Sequence, residues 1–226
     1  MTHWTWLPSS VWQHSRQGIA QQRGWHPTTT SFVYGERDGM VVSTSPQYRR
    51  GVLRAARVVY DIIQQGGHVW VVNTSPQCSF MLEKISHMHC DMVSYSSHAW
   101  TPGTLTNWSS VSRSVLSYGM FEHRCSKRVS QDLLDFPRYR RVRRHFQGLI
   151  SPQGVPSPRP DILILMNPGD TPYIVNEAAR MHIPVIGFVE SDTPCTQIHY
   201  PIPVSMGNLS LLYTTLVLLL GMCSRK

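Results

Sequence analysis

Apolar residues recur along this chain in two patterns that predict different secondary structure. Three short runs are apolar at almost every position: Val69-Trp70-Val71-Val72, Ile162-Leu163-Ile164-Leu165-Met166 and Val185-Ile186-Gly187-Phe188-Val189. Uninterrupted apolar runs of this length are typical of parallel strands that helices cover on both faces. A shorter strand is predicted at 92–95, and a turn at 35–39 joins two extended segments at 31–34 and 40–42.

Between these runs the apolar positions change to a helical period. Val52, Ala56, Val59 and Ile63 follow at steps of four, three and four residues, so they share one face of a helix over 48–65. Further helical patterns begin near residues 76, 108 and 172. Because strands alternate with helices, the chain is predicted to form a mainly parallel sheet with helices on both faces, a three-layer α/β/α sandwich.

The apolar run at 209–222 is predicted to be a buried terminal helix. A membrane span needs about 20 consecutive apolar residues, and Thr214 and Thr215 interrupt this shorter run. We therefore divide the chain into an N-terminal arm or targeting segment (1–30), a single α/β domain (31–222) and a C-terminal tail (223–226). Within the domain, residues 119–160 are predicted to form a basic projecting insertion and a linker rich in proline and serine.

Charge changes this picture from a generic α/β domain to one with a polyanionic partner. The net charge is +8 with a pI near 9.5, and only three of the 21 basic residues are lysines. Guanidinium groups bind phosphates with paired hydrogen bonds and stack on bases, so this bias favours RNA or DNA. Residues 124–144 contain two acidic residues and eight basic ones: Arg124, Lys127, Arg128, Arg138, Arg140, Arg141, Arg143 and Arg144.

This basic block is interleaved with Phe136, Tyr139 and Phe146, which are predicted to stack on exposed bases while the arginines bind phosphates. A second group of arginines lies on the polar face of the first helix. For that group, RNA contact and a solvated surface both remain open. Its members are Arg49, Arg50, Arg54 and Arg57.

The composition of the N-terminus and the cysteine spacing bear on the compartment. The first 35 residues contain Arg16 and Arg23 but no acidic residue before Glu36, which suits either a mitochondrial transit peptide or a native arm. The five cysteines are scattered and never in C-x-x-C spacing, so we expect a reducing compartment.

Candidate catalytic chemistry is sparse. The chain contains no G-x-G-x-x-G, no G-x-x-x-x-G-K-[ST] and no G-x-S-x-G motif, which disfavours the common nucleotide enzymes and serine hydrolases. His87-Met88-His89-Cys90 offers metal donors in only one place, so packing or surface roles are favoured over a zinc site. Glu190 and Asp192 follow a strand, where α/β enzymes place active sites. They carry the alternative hypothesis, an α/β enzyme acting on RNA or a nucleotide.

Three passages resemble one protein family. They are Tyr34-Gly35-Glu36-Arg37-Asp38-Gly39-Met40; Trp100 with Gly103-Thr104-Leu105-Thr106-Asn107-Trp108; and the series Pro160-Asp161, Asn176-Glu177-Ala178, Ile183-Pro184-Val185, Val189-Glu190-Ser191-Asp192 and Tyr200-Pro201-Ile202-Pro203. In this order and spacing they resemble the small-subunit ribosomal protein uS2 family, in a divergent form similar to plant or algal mitochondrial members. The family's arginine before Trp100 is Ala99 here, and its aspartate after the Ile164 strand is Asn167.

The resemblance implies a flavodoxin-like sheet, a shortened basic helical projection and no catalysis. The implied partners are small-subunit rRNA and neighbouring small-subunit ribosomal proteins, without a cofactor, metal, membrane or small-molecule substrate. A mitochondrial ribosome is the expected location, with another organellar or bacterial-type ribosome as the alternative. Trp100 is expected to anchor its loop by packing, and Thr104, Thr106 and Asn107 offer hydrogen bonds to RNA or to the following helix.

Overall fold

A computed structural model describes residues 25–37, 40–43, 45–86, 92–97, 100–125, 136–146, 148–150 and 156–221. Its centre is a five-stranded parallel sheet with the strand order β4-β3-β5-β6-β7. This is the flavodoxin-like order, so the predicted parallel sheet is confirmed. The strands are β3 (Val69–Val72), β4 (Val93–Ser96), β5 (Ile162–Leu165), β6 (Val185–Val189) and β7 (Tyr200–Pro203).

A separate antiparallel hairpin precedes the sheet, as predicted, but residues 35–37, which the sequence predicts to lie in its turn, belong to its first strand. It pairs β1 (Val33–Arg37) with β2 (Met40–Ser43). The predicted first strand began at Ser31, but residues Pro27–Phe32 form a 3-10 helix instead. Proline at its start favours a helical turn, because the ring holds φ in the helical range.

Helices cover both faces of the sheet, which confirms the three-layer sandwich. The first layer contains α1 (Ser45–Gln64), α2 (Pro76–Ser86) and α6 (Leu209–Leu220). The second layer contains α3 (Trp108–Cys125) and α5 (Pro172–Arg180), and α4 (Pro137–Phe146) packs on α3.

Alternation along each strand divides the core between the two layers. In β3, Val69 and Val71 belong to the apolar cluster under the first layer, whereas Trp70 and Val72 belong to the cluster under the second. Every residue of β3, β5 and β6 is buried. Burial on both sides of the sheet explains why these strands are apolar without alternation.

The edge strand β7 and the terminal helix are fixed by α1. A Cβ atom added at Gly51 would lie 2.8 Å from the carbonyl oxygen of Pro201, so only glycine allows α1 to approach β7 this closely. The hydroxyl groups of Tyr48 and Thr215 are 2.7 Å apart, which joins α1 to α6 and satisfies a polar group inside the terminal helix. Asn208 caps α6 by accepting a hydrogen bond from the Leu211 amide.

The predicted buried terminal helix is confirmed, since half of the α6 residues are buried. In the described part of the chain, no helix is long and apolar enough to cross a membrane. The predicted start of the projection, residue 119, lies inside α3, so the projection grows out of a continuous helix. Thr171 occupies the N-cap position of α5, but its hydroxyl donates to the Asn167 carbonyl and does not cap the helix.

Candidate nucleic-acid interface

The basic block forms a helical hairpin with the distal half of α3. Tyr118 of α3 stacks on Phe146 of α4 with ring centroids 4.9 Å apart, and Phe121 lies 6.3 Å from Tyr139. Later positions in α3 therefore meet earlier positions in α4, so the two helices run antiparallel. Burial raises the pKa of the Tyr118 hydroxyl well above its ordinary value.

One side of α4 is used for this packing, and it contains three of the residues predicted to contact RNA: Tyr139, Arg143 and Phe146. Tyr139 donates a hydrogen bond of 3.5 Å to the Glu122 carboxylate, and the Arg143 guanidinium lies 3.7 Å from the same group. Arg143 keeps an exposed side chain, so its ion pair is a weak surface one. Tyr139 and Phe146 pack against α3, so their rings are not free to stack on bases. The Phe136 side chain is 58% exposed, so its ring is free to stack.

The other side of α4 is an exposed array of guanidinium groups, which we name the α4 arginine face: Arg138, Arg140 and Arg141. All three side chains are exposed, as is Arg124 in the last turn of α3. Arg144 follows on the same helix. Lys127 and Arg128, which complete the predicted set, lie outside the described residues. Five of the ten residues of α4 are arginines and none is acidic.

A loop at 101–107 joins β4 to α3 and contacts α4 directly. The Thr101 hydroxyl lies 3.0 Å from His145 Nδ1, so the position of the loop and that of α4 are linked. Trp100 is buried and packs on Trp70 with ring centroids 4.9 Å apart, which confirms its predicted packing role.

The polar residues of this loop mostly serve the fold. Thr104 is buried and donates its hydroxyl hydrogen to the Thr101 carbonyl at 2.6 Å, and Thr106 directs its hydroxyl to Glu177. Both hydroxyl hydrogens are therefore used within the protein, and contact of these two residues with RNA stays a prediction. Asn107 precedes α3 with an exposed side chain, and its carbonyl accepts the amide hydrogens of Ser110 and Val111.

Glu177 on α5 is the residue that organises the loop, and sequence reasoning did not assign it this role. Its Oε1 accepts hydrogen bonds from the amides of Leu105 (2.6 Å) and Thr106 (3.0 Å), and from the Thr106 hydroxyl (3.2 Å). Its Oε2 accepts from Trp100 Nε1 at 3.2 Å. The carboxylate is 6% exposed. Four donors thus replace water around a buried charge, and they hold the loop to α5.

The arginines of α1 lie on the other side of the sheet. Arg49 and Arg50 are exposed on the first helical layer, whereas α4 belongs to the second. The structure therefore does not bring these two predicted residues together with the α4 arginine face. The two groups form separate basic surfaces.

The carboxyl edge of the sheet carries a polar cavity of about 350 Å³ where an α/β enzyme would place its active site. Among its lining residues are Asp170, Glu190 and Asp192. Glu190 accepts the Met206 amide hydrogen at 2.6 Å, so it fixes the chain before α6. A wall of carboxylates repels phosphate groups, which argues against a nucleotide at this edge. In the described ranges, no cluster of three metal-binding side chains occurs.

A histidine and two serines form a hydrogen-bonded series that contains residue types found in hydrolase active sites, but a substrate cannot reach these buried side chains. His68 Nε2 lies 2.8 Å from the Ser94 hydroxyl, which donates to Ser157 at 2.9 Å. All three side chains are buried, and Asp161 accepts the His68 backbone amide hydrogen and not a ring hydrogen. Burial lowers the pKa of His68, and the nearby Asp161 charge partly offsets this. These hydrogen bonds link β3, β4 and the segment before β5.

The segment before β1 is also hydrogen-bonded to the domain. The His26 amide and the Thr29 hydroxyl both donate to the Ser191 carbonyl, at 2.7 and 2.6 Å. The Thr28 hydroxyl accepts from the Cys195 amide at 3.0 Å. Burial raises the pKa of the Cys195 thiol to about 11, so this thiol is protonated at neutral pH. The described residues before β1 thus cover the loop after β6.

The fold and the surface charge define the class of protein. It is a flavodoxin-like α/β protein with clusters of basic residues on its helices and acidic residues at the carboxyl edge of its sheet. Comparison with known proteins then gives the family, since the sequence model of the family described as ribosomal protein S2 matches residues 17–218. The chain belongs to this family.

Curated bacterial relatives carry the name small ribosomal subunit protein uS2. The Rhodospirillum centenum protein is 27% identical over 187 residues, which are 80% of this chain and 69% of the relative. The Sinorhizobium medicae protein is 26% identical over 188 residues, 81% of this chain and 71% of the relative. The Rickettsia felis protein is 24% identical over 187 residues, 79% of this chain but only 61% of the relative.

Proposed function

We propose that this protein is a structural, non-catalytic component of a small ribosomal subunit that binds rRNA and neighbouring ribosomal proteins. The exposed α4 arginine face carries this proposal, together with membership in the family. Guanidinium groups on one helix can each neutralise a phosphate and release condensed counterions, which supplies affinity without reading the sequence.

The packing of α4 narrows the mode of binding. Because Tyr139 and Phe146 are engaged with α3, the described part of the hairpin presents mostly charge, with Phe121 and Phe136 as its exposed aromatic rings. Recognition of folded RNA through its phosphates fits this surface better than recognition of unstacked bases. Arg124 and Arg143 extend this exposed basic surface. Lys127, Arg128, Arg144 and Asn107 complete the set of residues that we propose to contact RNA.

The binding test compares two variants of equal charge. Arg138→Gln/Arg140→Gln/Arg141→Gln removes the α4 arginine face, whereas Lys84→Gln/Arg159→Gln/Arg180→Gln removes three basic residues elsewhere. Glutamine has a helix propensity close to that of arginine, and Arg159 is exposed outside the helices, so both variants should fold. The binding constant for small-subunit rRNA is measured at several salt concentrations, and its logarithm is plotted against the logarithm of the salt concentration. The magnitude of the slope should fall by about 1 for each phosphate that the variant no longer neutralises.

We expect a reduction of about 3 in the slope for the α4 variant and a much smaller change for the control. Equal effects of the two variants would show that net charge, and not this face, determines binding. The enzyme alternative rests on Glu190 and Asp192; binding of a nucleotide by the purified protein would favour it.

We also propose that the ribosome is mitochondrial. The support is the composition of the first 35 residues, which contain arginines but no acidic residue. If a leader is removed, we expect cleavage before His26, because residues 26–29 hold the loop after β6. Mass spectrometry of the N-terminal peptide from the endogenous protein tests both points. A chain that starts at Met1 and fractionates outside mitochondria would contradict them.

The division of the chain belongs to the same proposal. We propose one α/β domain over 31–222, a basic insertion and linker over 119–160, an N-terminal arm or targeting segment over 1–30 and a short tail over 223–226. Limited proteolysis followed by mass spectrometry of the fragments tests this division, because a single domain should persist as one resistant core.

A further inference from the structure

The exposed side of α1 carries a row of three arginines, which we name the α1 arginine face: Arg50, Arg54 and Arg57. Their spacing of four and three residues places them on one line along the helix, within about 10 Å. The opposite side of α1 is apolar and buried, with Val52 and Val59 in the core. The row therefore has a fixed orientation towards solvent.

The described residues do not neutralise these three guanidinium groups. In the described part of the chain none of them lies in an ion pair, although Asp61 follows Arg57 by one helical turn. Three like charges in a row repel each other, and like-charge pairs at this spacing destabilise a helix. A bound polyanion relieves this repulsion.

The chemistry of the surface favours phosphates over an acidic protein. Protein interfaces are built around buried aromatic and aliphatic side chains, but in the described ranges no large hydrophobic side chain is exposed on α1. Arginine also exceeds lysine by 18 to three in the whole chain, and its planar fork matches phosphate oxygens. In the described ranges, the α1 arginine face thus offers guanidinium groups without an exposed large hydrophobic side chain.

The position of this surface gives it a separate partner. α1 covers the first face of the sheet, whereas α4 packs on α3 over the second. The five-stranded sheet and both helical layers stand between the two arginine faces. One RNA helix that lies along α4 therefore does not reach α1.

We propose that the α1 arginine face is a second RNA-binding surface, so that one molecule bridges two RNA segments from opposite sides of the sandwich. The proposal rests on the proposed function, because it assumes that the α4 arginine face binds RNA. It adds that binding is bivalent, which would let the protein fix the distance between two parts of a folded RNA.

The experiment uses the full chain and two short RNA duplexes, one labelled with a donor fluorophore and the other with an acceptor. Stoichiometry is measured by titration and bridging by energy transfer between the duplexes. Four proteins are compared: the unmodified chain, Arg50→Gln/Arg54→Gln/Arg57→Gln, the α4 triple variant, and the control with Lys84, Arg159 and Arg180 replaced by glutamine. Circular dichroism confirms that each is folded.

We expect two duplexes per molecule and energy transfer for the unmodified and control proteins. Each arginine-face variant should bind one duplex and give no energy transfer, with the salt slope reduced by about 3. If the α1 variant still binds two duplexes, or if the unmodified protein binds only one that depends on α4, the second surface is refuted while the proposed function stands. If the α4 variant binds as well as the unmodified chain, the proposed function fails instead.

A competitor identifies the class of partner. Polyglutamate at equal charge concentration should displace the duplex from the α1 arginine face only weakly, because a carboxylate chain lacks the phosphate geometry of RNA. Displacement as efficient as that by unlabelled duplex would assign the face to an acidic protein and overturn the proposal.

Discussion

The buried carboxylate of Glu177 is predicted to be one of the main stabilising groups of the second layer, and Glu177→Gln tests it. The substitution keeps the shape of the side chain but replaces one acceptor by an NH₂ group. If the amide oxygen takes over the bonds from Leu105 and Thr106, the new NH₂ group faces the Trp100 indole N–H, which is also a donor.

The structure sets the magnitude. One buried donor left without an acceptor costs about 1–3 kcal/mol, and the remaining bonds lose the extra strength of a charged acceptor. We expect Glu177→Gln to lower the free energy of unfolding by about 2–4 kcal/mol. Glu177→Ala leaves the Leu105 amide and the indole N–H both unsatisfied and should cost more. Since a domain of this kind is stable by about 5–15 kcal/mol, the glutamine variant should still fold.

Urea denaturation at neutral pH, followed by tryptophan fluorescence, is the appropriate assay. The indole rings of Trp70 and Trp100 are in contact, and Trp108 lies 5.9 Å from Trp70, so opening of the loop changes the signal. Glu83→Gln is the matched control, because Glu83 is exposed on α2; it should change stability by less than about 0.5 kcal/mol.

A double-mutant cycle makes the test specific. Trp100→Phe removes the indole donor and should cost less in the Glu177→Gln background than alone, because the donor–donor conflict disappears with it. Neutral or increased stability of Glu177→Gln would refute the reasoning. It would mean that the buried charge lacks adequate compensation and that its removal relieves a desolvation cost.

Three further predictions follow from local geometry. Gly148→Ala should lower the free energy of unfolding, measured with urea, by at least about 2 kcal/mol, because φ is +84° and the new Cβ would meet the β4 backbone. Gly103→Ala is the control: φ is +94° there but the space around the new Cβ is open, so the free energy of unfolding should fall by only about 1 kcal/mol. His68 has a lowered pKa in the fold, so the unfolded chain binds more protons and stability should fall as pH drops below about 6.5. In His68→Gln the thermal midpoint should lose this dependence, and an unchanged profile would contradict it. Phe146→Ala should weaken rRNA binding by loosening α4 and cost about 2 kcal/mol, whereas exposed Phe136→Ala should leave stability unchanged; equal thermal midpoints for both would contradict the packing account.

The fold was largely predictable because its signals are local. The three apolar runs gave the central strands, since a strand buried on both sides cannot alternate with polar residues. The helical period of Val52, Ala56 and Val59 likewise placed one face of α1 in the core. Strand order needed more than these patterns, and came from the family resemblance.

The candidate site was predictable only in outline. The basic character of α4 is visible in its sequence, but the inward direction of Tyr139 and Phe146 depends on α3, which precedes α4 along the chain. The role of Glu177 depends on donors about seventy residues away. Nothing in the Asn176-Glu177-Ala178 passage distinguishes a buried acceptor from an exposed helix residue, so such pairings emerge only from the folded chain.

We propose above that this protein is part of a small ribosomal subunit and is held there by the α4 arginine face. Sedimentation of the tagged protein through a sucrose gradient of cell or organelle extract tests it most directly. At low salt we predict co-migration with small subunits, disappearance of that co-migration as salt rises, and little incorporation of the Arg138→Gln/Arg140→Gln/Arg141→Gln variant compared with its charge-matched control. A folded, unmodified protein that stays at the top of the low-salt gradient would contradict the account.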